Sequence, residues 1–231
     1  MKFSLLHPSR GRAYKSVNTT SKWVSNASSE IELIISIDEN DATKDEYMRL
    51  YNGKVIVNNN KSSVEAVNNA AKVSTGDILI VVSDDTDCPA NWDKLILSAV
   101  EGRKDFVLKV YDGIQKWIIT MPIIDRNYYN RFGYVYHPEY AHLFCDTEFT
   151  HVADITKKVI WRNDIMFRHN HYSVGRSQRD HVSIVADSTA ENGAKVYLKR
   201  FKENFGLNGV DVWDISIDGE AHRQWIKAKL L

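Results

Sequence analysis

Apolar runs and polar breaks alternate along the first half of the chain with two distinct periods. Residues 3–6 form a short apolar run closed by Pro8, which has no N–H to give to a ladder. Ala13, Val17, Val24 and Ala27 then recur near the helical period, predicting a helix within 10–27. Residues 31–37 are apolar and β-branched, and they run into the polar turn Asp38-Glu39-Asn40-Asp41. A third, shorter run covers 55–57. Ser62-Ser63-Val64-Glu65 has capping-box form, and Val64, Val67 and Ala71 share one face of the helix that it opens. Gly76 reads as the C-terminal cap of that helix. Residues 77–82 are apolar on both faces, as a central parallel strand is. Trp92, Leu95, Ile96 and Ala99 predict a helix over 91–101, ended by Gly102.

Strand and helix in this rhythm imply βαβ units and a parallel sheet. Ligands of such sheets bind beyond the carboxyl ends of the strands. The residues to weigh are therefore 8–10, 38–41, 58–60 and 83–87, all four sets polar. The second half is less regular. Residues 106–110, 118–121, 159–161 and 165–167 read as strands. Cys145-Asp146-Thr147-Glu148 leads a helix over 144–157, and Ser188-Thr189-Ala190-Glu191 reads as a second capping box opening a helix to about 205. A last amphipathic helix is predicted over 219–230. The expected architecture is α/β: a Rossmann-like, mostly parallel central sheet flanked by helices over 1–185, split near 110, with a helical extension over 186–231.

Charge narrows the choice of partner. Lys plus Arg and Asp plus Glu both number 30, so the formal net charge is zero and no global field steers the chain to nucleic acid or an anionic membrane. Cys88 and Cys145 form no CxxC pair, which favours free thiols in a reducing compartment. The N-terminal apolar run is too short for the core of a signal peptide, and no stretch approaches the roughly 20 apolar residues of a membrane span. A cytoplasmic protein without an integral membrane segment is expected. The sequence carries no signal for oligomeric state.

The densest chemistry lies at Ser83-Asp84-Asp85-Thr86-Asp87, directly after the fourth apolar run. Three carboxylates within four residues repel one another, and each raises the others' pKa. A divalent cation relieves that cost. Mg²⁺ and Mn²⁺ prefer oxygen ligands, and Mg²⁺ is typically held by one or two carboxylates plus substrate phosphates. The plainer alternative is a solvated acidic turn that caps the following helix.

The segment resembles the DxD motif of GT-A glycosyltransferases, particularly the family 2-like group, and the resemblance covers most of residues 1–181. Phe3 to Arg12 resembles that family's first strand and its P-[ST]-x-N-R turn. Ile34-Ile35-Ser36-Ile37-Asp38 resembles the second strand, whose terminal Asp contacts the nucleotide base. Val67-Asn68-Asn69-Ala70-Ala71, followed by Thr75-Gly76-Asp77, resembles the stretch that leads into DxD. Family members place Asp-x-Asp directly after the strand. Here either Asp85 and Asp87 form the pair, or Ser83 replaces the first Asp and Asp85 is the main ligand.

The resemblance implies a GT-A fold and a metal-dependent, inverting transfer of a sugar from a nucleotide-sugar donor, UDP being the favoured nucleotide. It implies Mn²⁺ or Mg²⁺ held by Asp85 and Asp87, with a downstream His, here His169 or His171, completing the set. Pro8, Ser9, Arg10, Asp38, Asn68 and Asp84 are the implied donor-binding residues. An acidic residue at a helix start is the implied base, and Asp146 is a better positional match than Glu148. Arg12, Arg176 and Arg179 are further candidates for phosphate contacts. His7, His137 and His142 are expected to be structural. The acceptor is expected to be a glycan or a modified base in DNA. Tyr128, Tyr129, Tyr134 and Tyr136, with Arg126 and Arg131, offer an acceptor surface or else part of the core. Two other functions share parts of this pattern: a sugar-phosphate nucleotidyltransferase, which usually carries more glycines after its first strand, and a non-catalytic sugar-binding module.

Overall fold

A computed structural model describes residues 1–51, 53–216 and 219–230. Four strands build the first half: β1 (Lys2–Pro8), β2 (Glu30–Asp38), β3 (Lys54–Asn58) and β4 (Ile78–Val81). Between them run α1 (Ala13–Ser25), α2 (Lys44–Leu50) and α3 (Ser63–Lys72). The short ribbon strand β5 (Thr86–Asp87) and helix α4 (Trp92–Val100) follow. Then come β6 (Val107–Tyr111), β7 (Ile123–Asp125), α5 (Arg126–Phe132), α6 (Cys145–Ile155), β8 (Val159–Met166) and β9 (Arg168–His169). Helices α7 (His181–Ser188), α8 (Ala190–Lys202) and α9 (Glu220–Leu230) complete the chain.

The main sheet has seven strands in the order β3-β2-β1-β4-β7-β6-β8. All its pairings are parallel except those of β7, which runs antiparallel to both β4 and β6. This is the expected α/β architecture. Alternation along each strand divides the core in two. Phe3, Leu5, Ile78 and Ile80 face a cluster with Trp23, Trp92 and Ile96. Leu6, Leu79 and Val81 face one built from α3, α6 and the C-terminal helices. Tyr197, Phe201, Phe205 and Ile226 belong to that second cluster, and the expected boundary at 185/186 falls inside α7. The C-terminal helices thus share the core of the sheet domain. Among the described residues no helix is long and apolar enough to cross a membrane, and both cysteines are free.

Several sequence expectations are corrected. Helix α3 ends at Lys72, so Gly76 is not its cap. A Cβ on Gly76 would sit 2.5 Å from Ser4 Oγ, and the Gly76 N–H donates to that oxygen at 2.8 Å. The glycine therefore serves the close approach of β1. The strand expected at 118–121 lies later, at Ile123–Asp125, after Pro122. Ser188 closes α7 instead of capping α8; Thr189 is the residue before α8, and it makes no side-chain cap. The box at Ser62 does form: its side chain accepts the Glu65 N–H at 3.1 Å, and Glu65 accepts from Lys61 N at 2.8 Å.

Candidate active site

The site begins where β4 stops. From there Ser83 to Asp87 turn away from the sheet and pair as β5 with β9, antiparallel, Thr86 opposite His169 and Asp87 opposite Arg168. Asn170 locks this ribbon: its N–H donates to the Asp85 carbonyl and its side-chain amide to Asp87, at 2.8 and 2.7 Å. Two segments more than 80 residues apart are thereby joined. His169 Nε2 comes to 3.3 Å from Asp85 Oδ1. Burial opposes charge on Asp85. Hydrogen bonds from His169 and Ser83, with the nearby charges of His169 and Lys15, outweigh it and hold the carboxyl well below its ordinary range. Burial likewise works against charge on His169, but Asp85 prevails and raises its pKa.

Neighbouring acids take different places. Asp84 and Asp85 are the central residues of a turn closed by the Thr86 N–H donating to the Ser83 carbonyl at 3.2 Å, and Asp84 points inward. It is 5% exposed. Its carboxylate accepts from Ser9 Oγ at 2.9 Å, lies 2.9 Å from His7 Nε2, and has Arg12 at 3.6 Å. Asp84 and Ser9, both expected on the donor, are tied to each other inside the fold. Asp87 faces outward, to Asn170 and to Lys22 at 3.4 Å. His171 leaves the ribbon; its Nδ1 accepts the Ser173 N–H at 3.2 Å, and its ring centre is 5.0 Å from that of His169.

The donor-side expectations divide similarly. Arg10 is exposed and paired with Asp38 at the end of β2. Asp38 also accepts from Asn60 at 2.9 Å. Pro8 ends β1 half-buried beside Ser36. Asn68 is spent on the fold: its oxygen accepts from Val135 and Tyr136 N–H, and its amide donates to the Tyr136 carbonyl. Arg12 forms a bidentate pair with Asp180, the N-cap of α7. Arg176 bridges the carbonyls of His169 and Gly113, and Arg179 pairs with Asp187. His7 is fully buried, and His142 lies 2.5 Å from Ser63 Oγ.

Asp146 and Glu148 part company for a helical reason. Two residues on a helix are about 200° apart, so the pair cannot share a face. Glu148 is 4% exposed and clasps Arg200 of α8 through both its oxygens, with Tyr140 Oη at 2.7 Å. Asp146 is half-buried at the first turn of α6. Burial raises its pKa, and the charge of Asp112 adds to the shift. Asp112 raises the pKa of His169 too, so it is the common neighbour of Asp146 and the Asp85–His169 pair. A small cleft lies here, lined by Ser83, Thr86, Asp112, Thr120 and His169 over a floor of Val81, Met121 and Phe167.

Asp112 was not among the expected site residues. Its signal was present: Asp112-Gly113 is the polar break after the apolar run at 106–110, the same signature as at the other strand ends. Its carboxylate accepts from Ile114 N, Gln115 N and Thr120 Oγ1 and so shapes the loop that borders the cleft. The tyrosine surface is not built. Tyr128, Tyr129 and Tyr136 are each less than 9% exposed, and Arg126 and Arg131 are held by Gly76 and Asp105. A second small cleft is walled by Tyr128, Tyr134, Phe149 and the Glu148–Arg200 pair. Neither Asp85 nor Asp146 borders it.

A seven-stranded, mostly parallel sheet with this ribbon at its centre is the architecture of a GT-A glycosyltransferase. The chain belongs to glycosyl transferase family 2, whose model matches residues 11–179. No curated protein sequence matches it. Among solved structures it is similar to Staphylococcus aureus TarS 1–349 in complex with UDP-GlcNAc. The identity is 18%, the TM-score 0.68, and the match covers 99% of this chain and 71% of that one. Similar too is the mannosyltransferase PcManGT from Pyrobaculum calidifontis in complex with GDP-Man and Mn²⁺, at 11% identity and TM-score 0.64, covering 99% and 69%. The third is glucosyl-3-phosphoglycerate synthase from Mycobacterium tuberculosis with Mn²⁺, UDP-Glc and glycerol 3-phosphate. It matches at 11% identity and TM-score 0.59, covering 86% and 79%. The chain spans 60% of another TarS 1–349 chain and 42% of a longer TarS chain.

Proposed function

We propose that the protein transfers a sugar from a nucleotide-sugar donor to an acceptor hydroxyl. The observation that carries this reading is the Asp85–His169 pair, assembled by the ribbon at the end of a central strand in a family 2 fold. The pair offers an anionic oxygen next to an imidazole nitrogen, a donor set suited to Mn²⁺. Among the described residues no three acidic, histidine or cysteine side chains form a ready cage. Two protein ligands, with the donor's diphosphate and water, make a shell of the kind such cations accept. Bound there, the cation supplies charge neutralisation to the diphosphate leaving group.

The chain's own residues do the rest. Arg10 and Asp38 meet the nucleotide at the ends of β1 and β2. Asp146, its pKa raised by burial, accepts the proton of the acceptor hydroxyl as general base. A single displacement opposite the departing diphosphate inverts the anomeric carbon. UDP is the favoured nucleotide, and a glycan the favoured acceptor, since a net charge of zero gives no pull toward DNA.

A thermal-shift screen of UDP, GDP, UDP-GlcNAc, UDP-glucose and GDP-mannose, each with and without Mn²⁺, tests the donor. The expected result is stabilisation by a uridine nucleotide that requires Mn²⁺. Release of UDP is then followed with glycan acceptors and with hydroxymethylated DNA. Pyrophosphate release from a nucleoside triphosphate and a sugar phosphate would instead identify a nucleotidyltransferase, and binding without any turnover a sugar-binding module.

A further inference from the structure

Phe144 immediately precedes α6, two residues before Asp146, with φ 72° and ψ −7°. A bulky side chain rarely adopts this left-handed geometry. Such a conformation is strained and persists only where the surroundings over-determine it. Phe144 also caps α6 without any side-chain hydrogen bond. If it relaxed, the first turn of the helix would swing, and Asp146 with it.

The restraints on Leu143 and Phe144 come from the C-terminal helices. Thr189 Oγ1, at the α7–α8 junction, accepts the Leu143 N–H at 3.1 Å. Gly193 of α8 lies against the Leu143 carbonyl so closely that a Cβ there would overlap its oxygen and press on the Phe144 ring. The Phe144 ring stacks on Trp225 of α9, centroids 5.5 Å apart and planes 30° apart, and packs against Tyr197 at 6.1 Å. Trp225 is itself stacked on His222, whose Nε2 is 2.8 Å from Tyr197 Oη. A glycine of α8 at the closest contact and an aromatic stack from α9 on the strained residue together hold one backbone geometry.

We propose that α8 and α9 clamp the strained turn ahead of α6 and so position Asp146, with Thr189, Gly193 and Trp225 as the positioning residues. The proposal rests on the reading of Asp146 as general base. None of the three touches the cleft beside Asp85 and His169; they act through Leu143 and Phe144. The extension is then part of the catalytic apparatus, although it lies beyond the 11–179 match to the family.

The test uses the full chain and two independent readouts. The first is ¹³C-NMR titration of the Asp146 carboxyl, assigned by its loss in Asp146→Asn. The second is UDP release from UDP-glucose in Mn²⁺, with UDP binding measured alongside. Trp225→Ala should admit water to the turn, lower the Asp146 pKa toward the ordinary value and cut UDP release on the order of 10²-fold, as a misplacement of about 1 Å can. UDP binding should be unchanged, and Trp225→Phe should restore most of the rate. Gly193→Ala should act in the same direction. Thr189→Val, a near-isosteric change, carries the test should Trp225→Ala not fold; its effect should be smaller but of the same sign. Folded variants with wild-type Asp146 titration and wild-type UDP release would overturn the clamp. An Asp146→Asn protein as active as wild type would overturn the base reading alone, and the carboxyl titration would still decide the clamp.

Discussion

Two pairs of near-adjacent acids, Asp84 with Asp85 at the end of β4 and Asp146 with Glu148 at the start of α6, are treated alike by the fold. In each pair one member is buried among fixed partners and the other is only partly buried. Asp84 receives Ser9 and His7; Asp85 meets His169. Glu148 clasps Arg200; Asp146 stands half-buried near Asp112. The local geometry differs. At the strand end the two acids are the central residues of a turn, whereas on the helix they are two positions and about 200° apart. The outcome is the same: an anchor fixes the backbone beside a carboxylate that is left to act. Preorganised groups need such support, since catalysis depends on geometry held within fractions of an ångström.

The comparison breaks first at the strand end. Asp85→Ala should leave the fold intact and abolish the Mn²⁺-dependent response to UDP and the transfer, a loss of about a thousandfold or more. Asp84→Ala should do the reverse in kind. It strands the buried His7 imidazole, whose Nε2 is held by Asp84, and leaves Ser9 with Tyr47 alone, lowering stability by about 1–3 kcal/mol, seen as an early transition in urea. Equal melting temperatures for the two variants would show that Asp84 is no anchor.

At the helix start the contrast is between rate and stability. Asp146→Asn should spare UDP binding and slow transfer by about 10²–10⁴-fold, the usual worth of a general base. Glu148→Gln leaves Arg200 buried without its counter-charge and should cost about 3–5 kcal/mol. The double variant Glu148→Gln with Arg200→Met should recover much of that loss, because no buried charge is then left unpaired. Chemical denaturation of the three proteins measures the effect, and a double variant no more stable than Glu148→Gln would remove the anchoring role.

The division of labour within each pair was not legible in the sequence, although much around it was. Strands β1 to β4 and helices α3 and α6 were readable because buried runs and helical periods are long there. Helix α2 went unread: it is seven residues long and buries only Tyr47. Strand β7 was misplaced because the apolar stretch continues from Trp117 through Pro122 to Ile124, and no pattern within it marks where pairing begins. The His-x-His spacing suggested two histidines on one side of a strand, but β9 ends at His169 and a 3₁₀ turn carries His171 away. Which of two adjacent aspartates faces inward depends on partners such as His7 and Ser9 that lie far off in sequence. Arg200 is equally remote from Glu148, so no local signal marks Glu148 as the anchor.

The smallest expected effect probes the anchoring face of α6 through pH. His151 lies one turn after Glu148, fully buried, with Nδ1 2.6 Å from Tyr197 Oη and Nε2 2.6 Å from the Val212 carbonyl. A carbonyl only accepts, so Nε2 carries the proton, Nδ1 accepts from Tyr197, and Tyr197 in turn accepts from His222. Burial pushes the pKa of both histidines down from 6.5 to about 4. Between these values the unfolded chain binds protons that the native chain does not, so stability rises with pH across the window and falls as pH drops through it. At pH 5.5 the loss should be about 1 kcal/mol per histidine relative to pH 7.5. His222→Gln, which keeps a donor for Tyr197, should remove about half of this pH dependence in urea melts. If it removes none, the C-terminal histidine is not part of the anchor, and the support of α6 reduces to the Glu148–Arg200 clasp.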